Sequence, residues 1–285
     1  MTAPPEPLTL DVPGLRIAAL AWGPVHGAPV LAFHGWLDNA ATWTGVAPSL
    51  AAAGMRVVAI DFPGHGASSH RSSDATYSFG DMLLVALDVL DALGWGQASL
   101  LGHSMGGAVA MMTAAAAPER VVKAALVEGF TPLTTPEEDA GAQLRRGLAS
   151  TLRYRNGENR PHLDRASIEA RIAARPWPIL PSSVATLADR GTRRDGDAWV
   201  FTHDPRLKSE SLSRLTRGQV GSIVACVTCP VLLVAARDSL PYANDEIQGY
   251  FARLPQLQFV AIDGHHHVHM DHPERVAPHV LNFLA

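Results

Sequence analysis

Six short runs of almost uninterrupted apolar residues constrain this chain more than any other feature. They are APVLAFHG (28–35), MRVVAIDFPG (55–64), ASLLGHS (98–104), VKAALVEG (122–129), CPVLLVAAR (229–237) and LQFVAID (257–263). A strand with one wet face alternates apolar and polar residues, whereas a strand apolar throughout is covered on both faces. Helical stretches separate the runs. FGDMLLVALDVLDALG, for instance, has apolar residues at Met82, Leu83, Val85, Ala86, Val89, Leu90 and Leu93, which form one helical stripe. TWTGVAPSLAAAG reads as a helix ending at Gly54, and MGGAVAMMTAAAAPE and PERVAPHVLNFLA as two more. LTLDVP and LRIAALAWG read as an opening hairpin. The prediction is an α/β fold: a mostly parallel central sheet flanked by helices, joined by right-handed crossovers.

The rhythm stops after Gly129. From about 131 to 220 the chain turns richer in Arg, Glu and Pro. EEDAGAQLRRGLASTLRYR, RASIEARIAARPW and SSVATLADRG read as helices, and GDAWVFTHDPRLK carries a short strand or turn. The rhythm then resumes with CPVLLVAAR, the helix NDEIQGYFARLP, LQFVAID and the closing helix. The expected organisation is a core of 1–130 and 221–285 with a mostly helical cap inserted at 131–220. An insertion at the carboxyl edge of a parallel sheet lies over the crevice where ligands bind.

Bulk properties exclude several classes of partner. The chain has 285 residues, 47% hydrophobic and 18% charged, with a net charge of −4. That is enough apolar material for a sizeable core, and nothing in it points to nucleic acid or an anionic membrane surface. No apolar run nears the ~18 residues of a membrane span, and MTAPPEPLTLDVPG lacks the basic and apolar regions of a signal peptide. The expectation is a cytoplasmic protein acting on a small molecule, with the oligomeric state left open. Cys226 and Cys229 form C-x-x-C, but the pair leads into a strand, where a redox pair should open a helix. They read as ordinary thiols.

The chemistry centres on Gly102-His103-Ser104-Met105-Gly106. This G-x-S-x-G lies between an apolar run and a small-residue helix, the context of a nucleophile elbow. The alternative is a structural Gly-Ser turn. A serine hydroxyl needs a base to take its proton, usually a histidine held by a carboxylate. The histidine-rich stretch DGHHHVHMDHP (263–273) supplies candidates. His265, His266, His267, His269 and Asp271 there lack the paired, converging spacing of a metal site, so no metal or cofactor is expected.

Four motifs carry a resemblance. They are His34-Gly35-Trp36, Asp61-Phe62-Pro63-Gly64-His65-Gly66-x-Ser68, Gly102-x-Ser104-x-Gly106 and Gly264-x-His266-x-x-His269-x-x-x-Pro273-Glu274. The chain resembles an α/β-hydrolase fold serine hydrolase, of the serine hydrolase-like group near the haloalkane dehalogenase-like branch. The resemblance covers most of the sheet domain and the insertion only loosely. It implies Ser104 as nucleophile and His266, seven residues before Pro273, as base. His265 and His267 would then face away, with His269 structural. For the acid it leaves two candidates. Glu128 closes the run VKAALVEG, as in part of the dehalogenase-like branch. Asp238 follows VLLVAAR, one position before Ser239, which stands where the common family pattern has its acid. A buried strand-end Glu is costly unless paired, so Glu128 is preferred and Asp238 kept as the alternative. The oxyanion hole is expected from the main-chain N–H groups of Trp36 and Met105. His34, His103 and the Asp61–Ser68 turn are expected to be structural.

The implied reaction is acyl transfer to water, as by a carboxylesterase for a small to medium hydrophobic ester. Trp177, Pro178, Ile179, Leu180, Trp199 and Phe201 offer an apolar wall, or else simply the cap's own core. Haloalkane and epoxide chemistry need an Asp where Ser104 stands. The alternatives are a C–C bond hydrolase, a perhydrolase, or a non-catalytic ligand-binding protein on the same fold. An interfacial lipase would show more exposed apolar lid surface than the sequence suggests.

Overall fold

The computed structural model describes residues 4–239, 242 and 244–285. The chain opens with the hairpin β1 (Glu6–Val12) and β2 (Leu15–Trp22), turned at Gly14. Strands and helices then alternate: β3 (Ala28–Phe33), α1 (Ala47–Ala52), β4 (Met55–Ile60), α2 (Phe79–Ala92), β5 (Ala98–His103), α3 (Met105–Ala116) and β6 (Val121–Val127). An intervening segment holds α4 (Ala140–Tyr154), α5 (Arg165–Ala173), α6 (Pro181–Gly191) and a separate hairpin, β7 (Thr192–Asp195) with β8 (Ala198–Phe201). The alternation resumes with α7 (Arg217–Val224), β9 (Val231–Ala236), α8 (Asp245–Phe251), β10 (Leu257–Ile262), the single-turn α9 (Val268–Asp271) and α10 (Pro273–Leu284).

Eight strands form one sheet in the order β1-β2-β4-β3-β5-β6-β9-β10. Only β2 runs against its neighbours. Every residue of β4, β5 and β9 is buried, which is why those runs carry no polar alternation. Val85, Val89, Val109 and Val220, from α2, α3 and α7, pack on one face; Leu50, Val276 and Val280, from α1 and α10, pack on the other. α2 starts with a reciprocal cap between Ser78 and Asp81.

The topology fixes where a site can form. From β3 the chain crosses to β4 on one side, and from β5 to β6 on the other, so a crevice opens between their carboxyl ends. Register sets the detail. Phe33 pairs with Gly102, so the segments beginning at His34 and His103 emerge side by side. Val127 pairs with Val234 and Ala236 with Ile262, which brings Glu128, Ser239 and the loop after Ile262 to the same edge.

Four details differ from the sequence reading. TWTGVAPSLAAAG is not one helix but a 3-10 turn (Ala40–Trp43) followed by α1, with Pro48 in the first turn of α1. LQFVAID, read as covered on both faces, is the edge strand β10, with Phe259 45% exposed. α7 begins before the expected 220/221 boundary and packs on α3 with the core. On α4, Leu144, Leu148 and Leu152 are exposed at i, i+4, i+8, an apolar stripe the sequence reading did not anticipate. Among the described residues no helix is long and apolar enough to cross a membrane; Met1–Ala3, part of the stretch judged not to be a signal peptide, lie outside them.

Candidate active site

Ser104 is the single residue between β5 and α3, with φ +52° and ψ −117°. A side-chain-bearing residue rarely adopts this backbone, and such strain is found where surroundings over-determine it. The glycines around it leave no room for anything larger. A Cβ on Gly102 would sit 2.3 Å from Gly106 O, one on Gly107 2.4 Å from Gly129 O, and one on Gly129 2.0 Å from Ser104 O. The turn projects Ser104 Oγ to 2.9 Å from His266 Nε2.

His266 Nδ1 lies 3.1 Å from Glu128 Oε2. Glu128 is fully buried and, like Ser104, has positive φ, +54°. Its other oxygen, Oε1, accepts the N–H of Ala236 at the end of β9. A carboxylate only accepts, so this contact puts the imidazole proton on Nδ1 and leaves Nε2 free to take one from Ser104. The structure thus brings Glu128 to His266 and leaves Asp238 outside. Asp238 is exposed, and its main-chain carbonyl, not its carboxylate, meets a histidine, His265 Nδ1 at 3.2 Å. Ser239 Oγ approaches His266 Nδ1 at 3.5 Å, at the position where the common pattern has an acid.

Trp36 and Met105 flank Ser104 from β3 and α3. Among the described residues neither main-chain N–H has a protein acceptor, whereas the Gly107 and Ala108 N–H groups already bond to Ser104 O. Met105 opens α3, so its N–H lies at the positive end of the helix dipole. The Trp36 indole is half-exposed and donates to Leu207 O at 2.9 Å, tying its loop to the intervening segment. His34 props the loop as expected: its Nε2 accepts the Phe62 N–H at 3.0 Å, and burial pushes its pKa down to about 4. The Asp61–Ser68 turn does more than expected. The buried Asp61 carboxylate accepts from Ala40 N–H, Ala67 N–H and the Arg190 guanidinium on α6.

The histidine-rich stretch diverges instead of converging. His265 meets Asp238 O, His266 meets Ser104, His267 Nε2 meets Arg175, His269 Nε2 meets Thr42 Oγ1, and Asp271 accepts Leu180 N–H. His267 is buried beside Asp38 (3.4 Å), where the sequence reading had only turned it away from Ser104. Asp38, His103 and His267 do offer three ligand atoms within 4.8 Å of one another. Arg175 Nη1 already bridges Asp38 Oδ1 and His267 Nε2, so the chain supplies that cluster's cation itself. Burial works to raise the Asp38 pKa, yet Arg175 beside it holds the carboxyl well below the usual range. Burial likewise keeps His103 neutral, its pKa pushed down to about 3.

Of the apolar wall residues, Ile179, Trp199 and Phe201 pack into the intervening segment's own core with Ile168, Val184 and Leu187. Trp177 differs: its ring lies 4.4 Å from the His266 ring, tilted 31°. Arg175 and Arg190 carry no local motif that marks them as partners of the core, and the sequence offered Trp177 only as part of an apolar wall, not as a neighbour of His266. Both cysteines are free thiols; Cys229, buried before β9 and so at the opposite end of that strand from the site, has its pKa pushed up to about 11 by burial.

Comparisons with known proteins bear on the family and the fold. A family profile described as "alpha/beta hydrolase fold" matches residues 28–273. A "Serine hydrolase-like protein" of Danio rerio is 34% identical, over 96% of this chain and 87% of its own. The human "Serine hydrolase-like protein 2" is 32% identical over 97% and 93%. Among solved structures, a hypothetical protein of Pseudomonas aeruginosa PAO1 superposes with a TM-score of 0.90 at 35% identity, covering 98% of this chain and 99% of that one. The sheet order, the strained serine between β5 and α3, and these similarities lead to one assignment: the chain belongs to the α/β-hydrolase fold family, in its serine hydrolase-like group.

Proposed function

We propose that the protein hydrolyses an ester or related acyl bond through an acyl-enzyme on Ser104, as a carboxylesterase for small to medium hydrophobic esters. The observation that carries this reading is the continuous chain Ser104 Oγ–His266 Nε2, 2.9 Å, and His266 Nδ1–Glu128 Oε2, 3.1 Å. His266 takes the hydroxyl proton as Ser104 attacks the carbonyl carbon, and the buried Glu128 carboxylate stabilises the imidazolium that forms. The main-chain N–H groups of Trp36 and Met105 receive the oxyanion. His266 then protonates the leaving alcohol, and a water activated by the same imidazole releases the acid.

In this reading residues 131–220 serve as a cap over a core of 1–130 and 221–285. Two cap guanidinium groups that enter the core near the site, Arg175 and Arg190, are paired with buried carboxylates, Asp38 and Asp61. Neither is available to bind a substrate carboxylate, which supports an uncharged ester. Relatives point the same way. An "Esterase" of Mycobacterium tuberculosis is 32% identical over 70% of this chain. The "Thioesterase Domain From Curacin Biosynthetic Pathway" superposes with a TM-score of 0.84 at 27% identity. C–C hydrolysis and perhydrolysis would use the same three side chains. A purely ligand-binding role on the same fold would leave these side chains without Ser104-dependent turnover.

A panel of p-nitrophenyl esters of graded chain length tests the proposal. Wild type should release nitrophenol in a burst, with a preference along the series, and Ser104→Ala should lose at least about 10³-fold. Equal rates from the two proteins would leave only the binding role.

A further inference from the structure

The segment Arg175-Pro176-Trp177, in the loop between α5 and α6, enters the core beside the active site, and no part of the proposed mechanism uses it. Arg175 is anchored there. Its Nη1 reaches both Asp38 Oδ1 and His267 Nε2, and Asp38 is 3% exposed. Two residues on, the Trp177 ring centroid lies 4.4 Å from that of His266, the two planes tilted by 31°. His266 is therefore contacted by Glu128 at Nδ1, by Ser104 at Nε2, and beside its ring by the buried His103 and by the Trp177 indole.

We infer that Trp177 is a positioning residue, locked by the Arg175–Asp38 pair, that holds the His266 ring in line with Ser104 and stabilises its imidazolium form during attack. The inference rests on the serine hydrolase reading above. An indole face attracts a cation lying on it, and it does so more strongly when water is excluded. The neutral imidazole of the resting state gains less, so the effect falls on the transition state and hence on kcat. Because the indole comes from the cap segment, the base is fully assembled only when that segment is docked.

The test is steady-state hydrolysis of p-nitrophenyl acetate by the full chain. Trp177→Leu keeps an apolar cover but removes the π face, and should lower kcat about tenfold with KM within about twofold. Trp177→Phe should restore most of the loss. The double variant Asp38→Asn/Arg175→Gln removes the anchor without leaving a lone buried charge. It should lower kcat by a similar factor, and adding Trp177→Leu to it should cost little more, since both act through one element. Unchanged kcat in Trp177→Leu, equal losses in Leu and Phe, a loss confined to KM, or additive losses would each overturn the inference while leaving the serine hydrolase reading intact. Absence of Ser104-dependent turnover in the wild type would overturn both.

Discussion

Replacing Glu128 by Gln removes one charge from a site where nothing else can supply it. The carboxylate is fully buried and lies 3.1 Å from His266 Nδ1. With an effective dielectric of about 20, the attraction between that carboxylate and the imidazolium formed on attack is about 5 kcal/mol. Glutamine keeps the shape but not the charge, and it can present its amide N–H to the imidazole in place of an acceptor, favouring the wrong tautomer. At about 1.4 kcal/mol per factor of ten, kcat should fall about 10³- to 10⁴-fold. Asp238→Asn, at an exposed side chain, should stay within about threefold of wild type. The geometry also names a rescue. Ser239 Oγ stands 3.5 Å from the same Nδ1, so Glu128→Gln/Ser239→Asp should recover at least about tenfold over Glu128→Gln alone. Nitrophenyl ester turnover, with circular dichroism to verify folding, reads all four proteins. A folded Glu128→Gln enzyme within tenfold of wild type, or a collapse of activity in Asp238→Asn, would refute this reasoning.

Two further outcomes follow from buried charge. Arg190→Ala leaves the Asp61 carboxylate fully buried with only main-chain donors; urea unfolding should show a loss of about 3 kcal/mol, and a change below about 1 kcal/mol would contradict the pairing. The protein should also lose stability in mild acid. Burial lowers the pKa of His34 to about 4 and those of His65, His103 and His203 to about 3, from 6.5. These groups stay neutral in the folded state while the unfolded chain takes up protons below pH 6.5. Stability is therefore complete above about 6.5 and falls as pH drops toward 4, by up to about 1.4 kcal/mol per pH unit for each histidine. A melting temperature that stays flat from pH 7 to pH 4 would count against it.

What could be read from the chain alone was whatever depends on neighbours in sequence. Apolar runs without polar alternation point to strands covered on both faces, and β4, β5 and β9 are wholly buried. Small residues at 102, 106 and 107, between a strand-like run and a helix-like one, point to a backbone pressed against its surroundings, and that turn strains and projects Ser104. The place of β10 was not legible, because an apolar run does not say whether it has one neighbour or two; the sheet order puts it at the edge. The preference for Glu128 over Asp238 rested on the cost of burying a strand-end carboxylate, and the sequence did not say which of the two meets His266. Both follow strands that end at the same rim, and the parallel register of β6 against β9 turns one inward to His266 and leaves the other in water. Arg175, Arg190 and the contact of Trp177 with His266 lay further out of reach. Their positions are set by how the intervening segment packs on the sheet, and a guanidinium or an indole acquires a role only once a buried carboxylate or an imidazole stands opposite it.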